Sequence, residues 1–181
     1  MNGRLLIAGL GNVLMSDDAI GPYCVEYLRA HYEFPDHVEV ADLGSPGLDL
    51  TLHLSSSDRV IAIDSLRGVE PGSLHVFDRP TLLSGRCDAR LDTHAPALEE
   101  SILIAHLSGD RPYDVMLVGL GGAGFDHGTN LSDLARQRIP ALADLVLAQL
   151  TALGVAWRPR ATPVVPDVWW EASADAGQLF A

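Results

Sequence analysis

Lysine is missing altogether: all 12 basic residues are arginine, set against 24 aspartates and glutamates. The formal net charge of −12 argues against nucleic acid or an anionic membrane surface as partner and leaves cationic or metal-bearing partners open. Cysteine is nearly absent too. Cys24 and Cys87 form no metal-ligand spacing and fit a reducing compartment, and Cys24 falls on an apolar helix stripe where a buried, inert thiol is expected. Long apolar runs are lacking, since no stretch approaches the ~18 residues of a membrane-spanning helix. The first residues show no basic segment followed by an apolar signal core, so a cytoplasmic location is expected. Two hydrolase signatures are also missing. There is no Gly-x-Ser-x-Gly elbow and no His-Glu-x-x-His helix, which removes the common serine hydrolase and zinc protease layouts. Cys87 is left as the one conceivable thiol nucleophile, with nothing near it in sequence to activate it.

What is present alternates between strand and helix. Leu5–Ala8, Val38–Ala41, Val60–Ile63 and Val115–Val118 are short apolar runs of the kind buried on both faces of a parallel sheet. Ser73–Phe77, after the Pro71-Gly72 turn signal, reads as a weaker edge strand. Helical stripes follow Asp17–Gly21, where Pro22 fits the first turn, and span about Leu48–Leu54, Thr93 onward, and Ser132–Leu153. Gly154 suits the end of the last of these. Arg79–Asp92 reads as irregular. The pattern predicts a doubly wound, mostly parallel α/β sheet. We expect one α/β domain over residues 1–156 and an irregular tail over 157–181, with the adjacent Trp169 and Trp170 packed on the body or held for a partner.

The chemistry gathers where the first strand ends. Gly9-Leu10-Gly11-Asn12 opens a helix as a phosphate cradle does, because helix N-termini present free N–H groups and partial positive charge. Asp17 and Asp18 occupy that loop, and two carboxylates favour a cation over a phosphate. Dinucleotide binding is the main competitor, with Asp42 placed for a ribose. It loses because the third glycine position is Leu14, which makes no provision for close helix–strand packing, and because Asp17 and Asp18 repel a pyrophosphate. Functional groups of such sheets collect beyond the carboxyl ends of the strands. That brings together Asp18, Asp64 after the third strand, and His94 opening a later helix. Two carboxylates and an imidazole suit a borderline divalent ion such as nickel or zinc. The residues alone leave other roles open: either Asp17 or Asp18 can cap a helix, Asp64 can brace a turn, and His94 can sit on a surface helix.

The run Gly9-Leu10-Gly11-Asn12-Val13-Leu14-Met15-Ser16-Asp17-Asp18-Ala19-Ile20-Gly21 resembles the signature of the hydrogenase maturation endopeptidases. The likeness continues through Asp42-Leu43-Gly44-Ser45-Pro46-Gly47, Ile63-Asp64-Ser65, Thr93-His94 and the helix beginning near Leu131-Ser132, and covers about Leu5–Gly154. It implies a three-layer α/β/α sandwich with a five-stranded, mostly parallel sheet and one antiparallel edge strand. It implies a peptidase that removes the C-terminal extension of a [NiFe] hydrogenase large-subunit precursor. Asp18, Asp64 and His94 match the family's metal-binding positions, with nickel supplied by the precursor and used for recognition. Asp17 or Asp18 is then the candidate base, and the glycine loops 44–47 and 119–124 are candidate peptide clamps or ordinary turns. The expected state is a monomer with the precursor as its partner. A non-catalytic nickel-binding chaperone and a general metallohydrolase are the competing functions.

Overall fold

The computed structural model describes residues 3–84, 90–91, 95–107, 112 and 114–171. In chain order, strand β1 (Leu5–Leu10) is followed by a 3-10 turn at Ser16–Ala19 and helix α1 (Ile20–His31). Then come β2 (Tyr32–Glu33), β3 (Val38–Gly44), α2 (Leu50–Ser55), β4 (Arg59–Arg67), β5 (Leu74–Asp78) and α3 (Arg79–Leu83). The chain is completed by β6 (Arg90–Leu91), α4 (Ala95–Leu107), β7 (Asp114–Gly121), α5 (Asp133–Ala152) and β8 (Arg158–Pro159). The main sheet has the order β3-β1-β4-β7-β5. Pairings β3–β1, β1–β4 and β4–β7 are parallel, β5 lies antiparallel at the edge, and the two-residue β6 pairs with the far end of β4.

Strand alternation splits the core into the two layers that flank the sheet. Leu5, Ile7, Ile61 and Ile63 face α1 and α5, packing with Cys24, Leu28, Leu142 and Val146. Leu6, Ala8, Val60 and Ala62 face α2 and α4, packing with Leu50, Leu54, Leu98 and Ile102. The result is a three-layer α/β/α sandwich, and its runs of consecutive apolar residues are those of strands covered on both faces. Cys24 lies wholly inside, where burial pushes its thiol far above the ordinary range and keeps it protonated. Cys87 lies outside the described residues.

Three expectations need correction. The segment after Asp78 is not irregular throughout, because α3 begins there. The Asp78 carboxylate accepts the Thr81 N–H at 3.0 Å, and Pro80 stands in the first turn where it sacrifices no hydrogen bond. That Asp-x-Pro signal was legible in the sequence. Asp64 does not end its strand either, since β4 runs on to Arg67, paired with β7 through Leu66 and with β6. β1 pairs with β4 only as far as Gly9 opposite Ile63, so Asp64 stands one residue beyond its neighbour's last pairing.

The third correction concerns helix–strand packing, which is close despite Leu14. A Cβ on Gly21 would lie 2.2 Å from the Leu10 carbonyl and 2.5 Å from that of Ile63, and one on Gly9 would lie 2.7 Å from the Gly21 carbonyl. The intervening 3-10 turn moves the helix start, so the glycine serving this contact comes ten residues after Gly11 rather than three.

The described part of the tail crosses the ends of α1 and α5. Its β8 pairs antiparallel with β2, Trp157 meets Tyr32 edge-on at 5.4 Å, and Val164 N–H donates to the Ala30 carbonyl at 3.0 Å. Trp170 is 1% exposed and packs edge-on against Tyr23 at 5.1 Å. The Tyr23 hydroxyl donates to Glu171, and Arg136 Nη2 reaches the same carboxylate at 2.5 Å.

Two opposing shifts in this cluster set a pH window. Burial, reinforced by the hydrogen bond to Glu171, pushes the Tyr23 phenol up to about 12. Burial also acts to raise the Glu171 carboxyl, but the Tyr23 hydroxyl and Arg136 outweigh it and hold it below the usual glutamate value. A depressed acid contributes stability above its unfolded pKa of about 4.3, lost as pH falls through the folded value. A raised phenol contributes stability below about 10, lost as pH climbs toward its folded value. Trp170 fluorescence, followed in a Trp157→Phe/Trp169→Phe background, is therefore expected to stay constant from about pH 5 to 9 and to change outside that range. A midpoint near neutrality would show that other groups hold the tail.

Candidate active site

The site is built where β1 and β3 end and β4 runs on past them. Gly11, with φ of 137°, turns the chain out of β1; a Cβ there would lie 1.8 Å from the Asp18 carbonyl. Ser16 takes a positive φ of 49°, uncommon for a residue other than glycine. Two contacts hold it there: its N–H donates to Gly128 O at 2.8 Å and its hydroxyl to Asp126 O at 2.9 Å. The 3-10 turn that follows aims the two aspartates in different directions, and both are buried.

Asp18 turns back into the glycine loop. Its Oδ2 accepts the Asn12 N–H at 2.8 Å, so the carboxylate takes a donor that a phosphate cradle would offer its ligand. Its Oδ1 lies 3.3 Å from the Ser65 hydroxyl, while the Ser65 N–H donates to Asp64 Oδ1 at 2.7 Å. Ser65 therefore links the two carboxylates from a fully buried position. Holding both on one side of a single residue's donors makes a compact patch of negative charge inside the protein. Such a patch is costly unless hydrogen bonds and a cation offset it. Sequence reasoning assigned Ser65 no role; its position directly after Asp64 was the available signal.

Asp17 points the other way. Its Oδ2 accepts Ala123 N–H at 2.7 Å, Gly124 N–H at 3.3 Å and the Ser132 hydroxyl at 2.8 Å, and its Oδ1 accepts Ser132 N–H at 2.7 Å. Ser132 in turn caps α5, its hydroxyl accepting Ala135 N–H at 3.2 Å. Asp17 thus pins the 121–124 segment and the start of α5 to the end of β1. Neither aspartate caps a helix, and the residue preceding α1, Ala19, makes no side-chain cap. The glycine segment is also less loop than expected, since Gly119 and Gly121 belong to β7.

His94, the third expected ligand, lies outside the described residues. Among the described residues, no group of three or more His, Cys, Asp or Glu is placed to hold a metal ion. Nor is any helix among them long and apolar enough to cross a membrane. Beside Asn12 opens a cleft of about 310 Å³ with Gly11, Val13, Asp42, Ser45 and Trp169 in its walls. Asp42, half-buried at the end of β3, accepts the Gly44 N–H at 2.9 Å. Burial pushes its carboxyl up, and the Gly44 N–H and Arg29 partly offset this.

Known proteins resemble this chain in sequence and fold. The profile of a family described as hydrogenase maturation protease, HycI, matches residues 22–149. The hydrogenase expression/formation protein HupM of Azotobacter chroococcum mcd 1 is 34% identical over 163 residues, covering 87% of this chain and 76% of its own. The hydrogenase 2 maturation protease of Escherichia coli K12 is 28% identical over 162 residues, covering 87% and 96%. Among solved structures, the hydrogenase maturating endopeptidase HybD from E. coli superposes with a TM-score of 0.78 at 28% identity, over 87% of this chain and 98% of that one. The profile match spans more than half of the sequence and the fold agrees with that of the solved relative, so this chain belongs to the hydrogenase maturation protease family and is a peptidase.

Proposed function

We propose that this peptidase removes the C-terminal extension of a [NiFe] hydrogenase large-subunit precursor, and that it recognises the precursor by the nickel already bound in it. The observation carrying this reading is the pair of buried carboxylates, Asp18 and Asp64, joined through Ser65 at the carboxyl edge of the sheet. Carboxylate oxygens are suitable donors to a borderline divalent ion, and His94 adds the imidazole such an ion prefers. Nickel is here part of the substrate. By engaging it, Asp18, Asp64 and His94 orient the precursor so that its scissile bond lies in the cleft next to Asn12. Orientation of this kind is a large part of what an enzyme contributes to a reaction. With both its oxygens engaged by the 123–132 segment, Asp17 serves as a positioning residue: it fixes the turn that presents Asp18.

The test is to incubate the purified protein with nickel-loaded and nickel-free precursor and to follow mass by spectrometry. One C-terminal cut in the loaded precursor alone is the expected result. Equal cutting of both forms would remove nickel from recognition, and a tight complex without cutting would favour a scaffold.

A further inference from the structure

We propose that the outer edge of β3 takes the precursor's C-terminal extension as an added strand, paired through the main-chain groups of Val40 and Asp42. The inference rests on the processing function proposed above. It adds to that function a binding surface that reads extended backbone and not a particular side chain.

The first observation is the sheet order. β3 and β5 are the two edges of the main sheet, and β3 is the one beside β1. The loop after β1 carries Asn12, whose N–H holds Asp18, whereas β7 stands between β5 and the strand of Asp64. Parallel pairing brings the carboxyl end of β3 to the same side as that of β1. An edge strand offers a row of unpaired N–H and C=O groups, a template for another extended chain. For a peptidase, the extended chain at hand is its substrate.

The second observation is how that row is filled. In a parallel pair, alternate residues turn both backbone groups toward the neighbouring strand. The Leu5 N–H donates to the His37 carbonyl at 2.9 Å, which sets Glu39 and Ala41 toward β1 and Val38, Val40 and Asp42 outward. Away from the site the outward groups are engaged. Val38 N–H donates to the Pro35 carbonyl at 2.8 Å, and Arg29 caps the Val40 carbonyl with Nη2 at 2.7 Å and Nε at 3.1 Å. A charged side chain laid on an edge in this way stops pairing from continuing along it. Toward the site, no hydrogen bond among the described residues engages the Val40 N–H or the N–H and carbonyl of Asp42. Both residues are half-buried, so solvent reaches them. Arg29 thus confines pairing to the end of β3 that adjoins the carboxylates.

The third observation is the path from that edge to the site. An added strand lies one sheet spacing of about 4.8 Å outside β3, and β1 lies one spacing inside it. The resulting separation of about 10 Å is crossed by about three residues of extended chain. The cleft of about 310 Å³ walled by Asp42, Gly44 and Gly11–Val13 lies on that path. Asp18, Asp64 and His94 engage the nickel-bearing body, so the segment beyond the scissile bond is the part that runs outward. Pairing with β3 then begins about three residues past the cut.

The experiment follows amide hydrogen exchange residue by residue in the wild-type protein, alone, with nickel-loaded precursor, and with the nickel-loaded subunit lacking its extension. The precursor carries an N-methyl group on the scissile bond, so that it binds without being cut. Exchange at the Val40 and Asp42 amides is expected to slow about tenfold or more with the precursor and to stay unchanged with the shortened subunit. In a second series, one further N-methyl group is placed at each of the next five peptide bonds of the extension. At least one position is expected to weaken binding about fivefold, the loss of one main-chain hydrogen bond. Unchanged exchange at both amides in the saturated complex would overturn the proposal, as would equal protection by the shortened subunit or indifference to every N-methyl group. Protection in the protein alone that rises with its concentration would assign the edge to a second copy of the chain and overturn it too. If unmodified precursor is cut once while the edge amides stay unprotected, the processing function stands and the added strand falls. If the edge is protected but unmodified precursor is never cut, the added strand stands and the processing function falls.

Discussion

Asp18→Asn and Asp64→Asn are each expected to lower processing of the nickel-loaded precursor by at least about 100-fold, with melting temperatures unchanged or raised. Asparagine is close to isosteric. At residue 18 its carbonyl can still accept the Asn12 N–H and its amide can face the Ser65 hydroxyl; at residue 64 the carbonyl can still accept the Ser65 N–H. What is lost is one negative charge from a patch assembled for a cation. Charged functional groups are commonly kept at some cost in stability, so neutralising one without changing its shape does not lower stability. His94→Ala is expected to match them in lost processing.

Asp17→Ala should behave in the opposite way. It strands the N–H groups of Ala123 and Ser132 together with the Ser132 hydroxyl, and frees the start of α5 from β1. Each buried donor left unsatisfied costs roughly 1–3 kcal/mol, so the set amounts to several kcal/mol, or roughly 10 °C in Tm for a chain of this size. Urea and thermal melts of the purified variants, run beside the mass-spectrometric assay, separate the two effects. A stable, inactive Asp17→Ala protein would return Asp17 to the chemistry. An unstable Asp18→Asn protein would make Asp18 a structural residue.

This contrast between neighbours marks the limit of what the sequence discloses. The layers and the edge strand were legible because strands covered on both faces must be apolar throughout, and Leu5–Ala8, Val60–Ile63 and Val115–Val118 are so. The gathering of Asp18 and Asp64 at one edge follows from parallel strands and right-handed crossovers. Which of two adjacent aspartates faces the site does not follow. That depends on a 3-10 turn held by contacts from Gly124, Asp126 and Gly128, more than 100 residues away in the chain. The tail was equally silent, for its attachment rests on a Glu171–Arg136–Tyr23 cluster that has no periodicity to reveal it.

Gly21→Ala is expected to be severely destabilising, costing about 4 kcal/mol or more and leaving little folded material at 37 °C. The added carbon would meet Leu10 O at 2.2 Å, Ile63 O at 2.5 Å and Leu10 N at 2.6 Å. These are backbone atoms of two paired central strands, so no side chain can rotate away. Relief requires lifting the first turn of α1, which would pull Ile20 and Cys24 from the core and draw the Asp18 turn away from Asn12 and Ser65. Gly124→Ala is the matched control: nothing lies within 4 Å of its Cβ position and its backbone angle is ordinary, so its stability is expected to stay within about 0.5 kcal/mol of the wild type. Urea melts of both variants decide the matter. Equal stability of the two would mean that α1 can ride higher on the sheet. The site would then owe its geometry to the Asp17 pin alone, and Gly21→Ala should still process its precursor. A collapsed Gly21→Ala beside an intact Gly124→Ala would instead show that the contact fixing the fold also sets the height at which Asp18 stands over the strand ends.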